Sequence, residues 1–343
     1  MTEILGNYFF FEWEVQLIIW LQAHISTSGV GFWLISNLSA FGEQLLLVAI
    51  MGFIYWGLDK EFGKYVGLNF LAANVLNPLI KNIFFRMRPY FVSDKIQLLR
   101  KIDTSADAMD VAAQGYSFPS GHSMGAATLY GSLAFYKKKN KILRVLAIVL
   151  PLLVGFSRVA VGAHFPTDVI VGWALGAIVI AGVSQLRRAT KNKRLIYGIL
   201  LLISIPGFFY CTSSDYYTAF GMLVGFILAE PFEKKHVRFK NTKNIFRCIL
   251  RTIGGCAVYY GLNALLKFII PAEYSDTGTL VSYAIRTARY ALVIFVVIGV
   301  YPMLFKLTGK LWKEKHHHHH HHGTHGTHGT HESHSTHETH ESH

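Results

Sequence analysis

Three short stretches hold residue types suited to the chemistry of phosphate. In KNIFFRMRPY, Lys81 precedes Arg88 by seven residues and Pro89 follows. Seven residues is close to two helical turns, so both cations share one face if the helix runs on to a stop at Pro89. In SFPSGHS, Ser117 to Ser123, Pro119 suits a helical first turn, and Ser120 and Gly121 leave small side chains around N–H groups that attract an anion. His122 sits beside that cradle. In SRVAVGAHFPTD, Ser157 to Asp168, Arg158 offers a forked donor to phosphoryl oxygens and His164 can act as a nucleophile. Asp168, four residues on, can accept from the second imidazole nitrogen and fix its tautomer. Each stretch alone has a plainer reading: Lys81 and Arg88 as snorkelling anchors, Pro-Ser-Gly-His as a cap, His164 and Asp168 as a tie between loop and helix. Arg86, off the seven-residue spacing, reads as an anchor, and Ser157 as structural. Three cations, two histidines and one carboxylate at the same ends of successive apolar segments weigh against coincidence.

The segments that must position these residues belong to a bilayer. The chain is 52% hydrophobic and 15% charged, and apolar stretches recur at 42–58, 62–84, 119–136, 142–156, 167–186, 195–211, 216–229, 245–270 and 280–305. Several approach the ~20 residues that cross hydrocarbon as a helix, and backbone in lipid must satisfy its own hydrogen bonds. The expected fold is all-α, a polytopic membrane bundle of about nine transmembrane helices. Before them, residues 8–24 are aromatic but carry Glu12, Glu14, Gln16 and Gln22, which predicts an interfacial helix. Residues 26–39 predict a short helix or re-entrant piece. The segment 316–343 holds 14 of the 18 histidines and reads as a tag. The expected organisation is therefore an N-terminal helical region 1–41, a membrane core 42–188 that carries the three stretches, further spans 189–315 and the tag.

Charge orients the bundle. Of 33 Lys and Arg, 22 fall near 60–64, 137–144, 187–194, 234–247 and 306–315, in alternate connections that the positive-inside rule assigns to the cytoplasm. That bias accounts for the net charge of +13 without nucleic-acid binding. The three stretches then lie on the non-cytoplasmic face, and the cell membrane is the expected location. Between Tyr90 and Tyr116 a long loop is placed to cover the site, and its Asp103, Asp107 and Asp110 read as a solvated helix face. Cys211, Cys248 and Cys256 form neither a disulfide framework nor a metal site. Gly172 with Gly176, and Gly221 with Gly225, predict close helix contacts. Arg286 and Arg289, three apart, read as snorkelling or lining an outer vestibule.

The chain resembles the type 2 phosphatidic acid phosphatase superfamily, which includes vanadium haloperoxidases and glucose-6-phosphatase-like enzymes. The family pattern runs Lys, six residues, Arg-Pro; then Pro-Ser-Gly-His; then Ser-Arg, five residues, His, three residues, Asp. Lys81, Arg88, Pro89, Pro119–His122, Ser157, Arg158, His164 and Asp168 match every fixed position, within a core of about 62–186. The resemblance implies that Lys81, Arg88, Arg158, Ser120 and the Gly121 amide bind phosphate, and that His164, oriented by Asp168, is the nucleophile. It implies His122 as the acid that protonates the leaving oxygen and then as the base for water. No metal or other cofactor is expected, because the cations neutralise the charge. The implied activity is hydrolysis of a lipid phosphate or diphosphate: undecaprenyl diphosphate, phosphatidate, phosphatidylglycerophosphate or a sphingoid phosphate. A vanadate-dependent peroxidase and a lipid transporter on a phosphatase-like core are the alternatives.

The orientation is testable in intact cells. In a background lacking the three native cysteines, S105C and D276C should react with an impermeant thiol reagent and N140C should not; labelling of N140C alone would invert the topology.

Overall fold

The computed structural model describes residues 6–25, 28–275 and 277–306. The histidine-rich segment 316–343, Asp276 and the basic residues beyond 306 lie outside the described residues. The chain divides into two compact units, Met1–Pro302 and Met303–His343; the architecture below is that of the first.

Helices make the whole framework. They are α1 (Glu12–His24), α2 (Gly29–Asn37), α3 (Gln44–Gly52), α4 (Lys60–Phe84), α5 (Pro89–Val92), α6 (Val111–Gln114), α7 (Gly121–Tyr136), α8 (Lys141–Ala160) and α9 (Pro166–Ala189), followed by α10 (Lys193–Ser204), α11 (Gly207–Tyr210), α12 (Ser214–Phe232), α13 (Ile245–Ile269) and α14 (Leu280–Phe295). Among the described residues there is no strand, only a bridge between Asn7 and Arg86. Polar caps start the long helices. Asp59, Ser120, Asn140, Asn192, Asn244 and Thr279 each accept a backbone N–H from the first turn of the helix that follows.

Each of the nine apolar stretches is helical. Five helical segments have both the length and the hydropathy to cross a membrane, and a sixth is gained if Gly29–Gly42 and Gln44–Leu58, bent by 49°, count together. The central helices α4, α7 and α12 fall outside that set, being shorter or interrupted by inward polar residues such as Asn69, Asn77 and Lys81. The count of nine therefore exceeds what length and hydropathy support. Helix α1, about 20 Å long at 1.5 Å per residue, is too short to cross ~30 Å of hydrocarbon, and it exposes Trp13 and Trp20 while burying Val15 and Ile18.

Small residues bring the helices close. A Cβ added at Gly172 would stand 2.9 Å from the Ser120 carbonyl oxygen, which lets α9 press on the start of α7. At Gly221 and Gly225 it would strike the carbonyl oxygens of Thr287 and Ala291, which seats α14 on α12. The two ends of the bundle differ chemically. At one, three of the basic connections meet: Lys60 pairs with Glu233 at 2.7 Å, Lys193 with Glu230 at 2.7 Å, and Lys64 with Glu61 and Glu230 at 3.0 and 3.4 Å. The phosphate-type residues gather at the other.

That end is tied together by Arg86, which the sequence reading assigns to the membrane surface. It is 1% exposed: Nη2 donates to Glu14 Oε2 at 2.7 Å, Nη1 to Asp168 Oδ1 and Thr167 Oγ1 at 2.7 Å, and Nε to the Phe9 carbonyl at 3.0 Å. The anchor reading fails because α4 stops at Phe84. Phe85 takes a left-handed conformation (φ 49°), and Asn7 clamps the break by donating to the Phe85 carbonyl and accepting from Met87 N–H. Lys81 and Arg88 consequently do not share a helix face, and Pro89 opens α5 instead of ending α4. For Arg286, of the two readings of the Arg286–Arg289 pair, the vestibule is the one its contact fits, since Thr218 lines the cavity. Arg286 Nε donates to Thr218 Oγ1 at 2.7 Å, and Arg289 is 7% exposed.

Removing one partner of a buried ion pair leaves an uncompensated charge, typically at a cost of about 3–5 kcal/mol. R86A should therefore lower the unfolding midpoint in detergent steeply, and E14Q less, because Glu14 Oε1 also serves the amide and hydroxyl of Thr167. An R86A midpoint equal to that of the unsubstituted protein would dismiss the tie as a stabilising element.

Candidate active site

The catalytic-type residues converge from four chain segments on a cavity of about 310 Å³. Lys81 from the last turn of α4, Arg88 beyond the break, Gly121 and His122 from the start of α7, and His164 from the loop between α8 and α9 all line it. Ser120, Arg158 and Asp168 stand behind them, fully or almost fully buried. Pro119 lies just before the helix, since Ser120 is the N-cap of α7 and its hydroxyl oxygen accepts from Ser123 N–H at 3.3 Å. The chain is pressed tightly here: an added Cβ at Gly42 would lie 2.8 Å from the His122 carbonyl oxygen.

His164 is held in one orientation. Nδ1 lies 2.8 Å from the Ser117 carbonyl oxygen, which can only accept, so Nδ1 carries the proton and Nε2 keeps its lone pair. Nε2 faces Arg88 Nη1 at 3.2 Å on the cavity side. Burial foremost, then the neighbouring Arg88 and Arg158 cations, holds the imidazole well below its usual pKa range, so the ring is neutral near pH 7. Asp168 sits differently from the expected direct acceptor. Its Oδ2 is 3.5 Å from Nδ1 and instead accepts from Ser117 Oγ at 2.8 Å and Phe165 N–H at 2.7 Å. The carboxylate fixes the loop and the serine whose carbonyl fixes the ring.

The cations are positioned by backbone and supplied with spare donors. Arg88 donates from Nε to the Gly115 carbonyl, from Nη1 to that of Ala163 and from Nη2 to that of Gln114, at 2.8, 2.8 and 2.6 Å. Burial lowers its pKa to about 10, which leaves it charged. Arg158 is 1% exposed, and its Nε and Nη2 have no hydrogen-bond partner among the described residues. Lys81 Nζ likewise makes no hydrogen bond among them. Buried donors without partners are costly, and an anion between them would satisfy them. In the loop from 93 to 110 the aspartates do not form a helix face: Asp103 accepts from Ser105 and Asp107 from Met109 N–H in local turns, and Asp110 caps α6 by accepting from Ala113 N–H. Ile102 from this loop reaches the cavity wall.

Other lining residues escaped the sequence reading. Asn77, one helical turn before Lys81, donates to the Pro119 carbonyl at 3.2 Å and so ties α4 to the anion-type turn; a polar residue four positions from Lys81 was its only signal. Asp215 and Thr218 reach the cavity from α12, far along the chain, and nothing local marks them.

Comparison with known proteins gives the family. The sequence profile of the PAP2 superfamily matches residues 62–191, and that of the PAP2 superfamily phosphatase transmembrane extension matches 217–314. Phosphatidylglycerophosphatase B of Bacillus subtilis is 33% identical over 169 residues, 47% of this chain and 75% of that protein. Undecaprenyl-diphosphatase of Sulfolobus acidocaldarius is 29% identical over 141 residues, 41% of this chain and 63% of that protein. Glucose-6-phosphatase catalytic subunit 1 of Mus musculus is 27% identical over 224 residues, 57% and 59% of the two chains. No solved structure matches. On these matches, and with all three stretches assembled around one cavity, the chain is an integral membrane protein of the PAP2 phosphatase superfamily.

Proposed function

We propose that this protein hydrolyses the phosphate of a membrane lipid through a phosphohistidine on His164, without a metal ion, on the non-cytoplasmic face. The observation that carries the reading is the orientation of His164: a protonated Nδ1 on the Ser117 carbonyl, and an unprotonated Nε2 that faces the Arg88 donor in the cavity that Lys81 and His122 also line. In the first step the Nε2 lone pair attacks phosphorus, the bond to the leaving oxygen breaks, and His122 gives that oxygen a proton. In the second, His122 takes a proton from water, the oxygen attacks phosphorus and the P–N bond breaks to release inorganic phosphate. Lys81, Arg88 and Arg158, with the N–H groups at the start of α7, balance the charge gathering on the equatorial oxygens. The relatives act on phosphatidylglycerophosphate-type and undecaprenyl-diphosphate-type substrates, as their names state, and a lipid phosphate is the class proposed here. A phosphate-release panel over alkyl phosphates, lipid monophosphates and lipid diphosphates, in detergent and in liposomes, tests it.

Activity should survive excess EDTA once metal has been stripped from the histidine-rich tail, and orthovanadate, which mimics the five-coordinate phosphoryl state, should inhibit it. Activity lost in chelator and restored by magnesium would defeat the metal-free scheme.

The two histidines should separate by leaving group. H164A should abolish turnover and any acid-labile phosphoenzyme with every substrate. H122A should slow phosphoenzyme formation from an alkyl phosphate by about a hundred- to ten-thousand-fold, the usual worth of a general acid, and far less from nitrophenyl phosphate or a lipid diphosphate. Single-turnover kinetics read this step, and equal losses on all three substrates would make His122 a phosphate-binding group.

A further inference from the structure

Gln44, Phe70 and Met222 each line two cavities. One is the active-site cavity. The other, of about 90 Å³, lies among α3, α4, α12, α13 and α14, and apart from Gln44 and the rings of Tyr55, Trp56 and Tyr259 its walls are hydrocarbon or sulfur-bearing side chains and glycine. Where the two adjoin, Gln44 Nε2 donates to the Tyr259 hydroxyl at 2.9 Å, so the polar groups there already satisfy each other. The second cavity also lies deeper. Phe70 and Gly67 precede Lys81 by eleven and fourteen residues on α4, which at 1.5 Å per residue puts Gly67 about 21 Å from Lys81 toward the opposite end of the bundle. A lipid whose phosphate sits by Lys81 has its chain pointing that way. A larger apolar cavity, about 470 Å³ among α4, α9, α10 and α12, shares no lining residue with the active site.

We propose that the smaller cavity receives the hydrocarbon chain of the substrate, and that the C-terminal extension is the tail-binding half of the enzyme. Met222, Phe226, Tyr259 and Val297, all from that extension, form its far wall. The identity of the ligand as a lipid phosphate rests on the function proposed above. The occupant follows from adjacency to the active site, with which the cavity shares three wall residues, from apolar walls, and from a depth that matches how a chain hangs below its phosphate. The matched core of residues 62–191 supplies only the α4 side of this space.

Gly67 allows the test, because a Cβ added there meets only the Phe226 ring, at an ordinary 3.8 Å. G67A should therefore be tolerated, while G67L and G67F extend into the cavity. With hexadecyl phosphate and butyl phosphate as substrates in the same detergent, kcat/KM for the long ester should fall progressively with side-chain size, by about tenfold at G67L, as for the loss of roughly two buried methylenes. The butyl ester should change by less than about twofold, since its chain ends short of the cavity and buries too little to lose. Equal losses on both esters, or a hexadecyl value indifferent to side-chain size, would overturn the proposal. If G67F fails to fold, G67A and G67L still give the trend. Calorimetric binding of hexadecylphosphonate and butylphosphonate to the same proteins separates the two readings. Should the unsubstituted protein release phosphate from neither ester, the phosphatase reading falls. Weaker hexadecylphosphonate binding by G67L, with butylphosphonate unchanged, would still support the tail site, and unchanged binding of both would overturn it.

Discussion

A guanidinium shut away from water must be surrounded by acceptors, and the active-site end of this bundle is arranged around that requirement at Arg86. Glu14 comes from α1 and Asp168 from α9, and the rings of Phe9 and Phe165 lie 4.7 and 4.1 Å from the guanidinium carbon. The Arg86 carbonyl accepts from Ser117 N–H at 2.8 Å, so the same residue holds the chain that carries the histidine-fixing carbonyl. The Asp168 carbonyl in turn accepts from Ser120 N–H at 3.0 Å. Ionic, aromatic and backbone contacts at one arginine thus bring the N-terminal helix, the break after α4, the turn before α7 and the loop before α9 into register. Desolvating such a group is expensive, and the cost is offset only because every carboxylate near it is also hydrogen-bonded.

The cations gathered at and just behind the cavity wall follow the opposite rule. Every nitrogen of Arg86 has an acceptor, whereas Arg158 keeps two unpartnered donor atoms and Lys81 has no hydrogen bond among the described residues. Arg88 lies between the extremes, spending its donors on three carbonyls that aim it while one nitrogen remains in reach of His164 Nε2. Positive charge that is fixed in direction and short of partners is what a site for a multiply charged anion needs. It reorganises little when charge builds up on the reacting group.

Much of this was legible in the sequence because phosphate chemistry leaves short, ordered signatures. Lys81, Arg88, His122 and His164 were found by residue type and spacing, and they do line one cavity. The helical class was legible from hydropathy, and the close approaches at Gly172 and Gly221 from small residues at helical intervals. What failed depended on backbone geometry that no local pattern reveals. The helix-continuity reading across Phe85 missed the left-handed residue, and with it the inward turn of Arg86. Asp168 was identified, but its closest partners are Arg86, Ser117 and the Phe165 amide, and the imidazole takes its tautomer from a carbonyl. Asp215 and Thr218 belong to the site only because α12 docks on α4, a tertiary fact with no signal near either residue.

The seating of α14 on α12 through Gly221 and Gly225 carries a lesson for anyone wishing to miniaturise this enzyme. Carbonyl oxygens press where those glycines lack side chains, and α12 in turn closes one wall of the candidate-site cavity with Asp215, Thr218 and Met222. A shortened chain keeping every signature residue but ending after α9 would leave the cavity an open trough, with the side of α4 that packs against α12 uncovered. Catalytic completeness and architectural completeness are set by different stretches of this polypeptide.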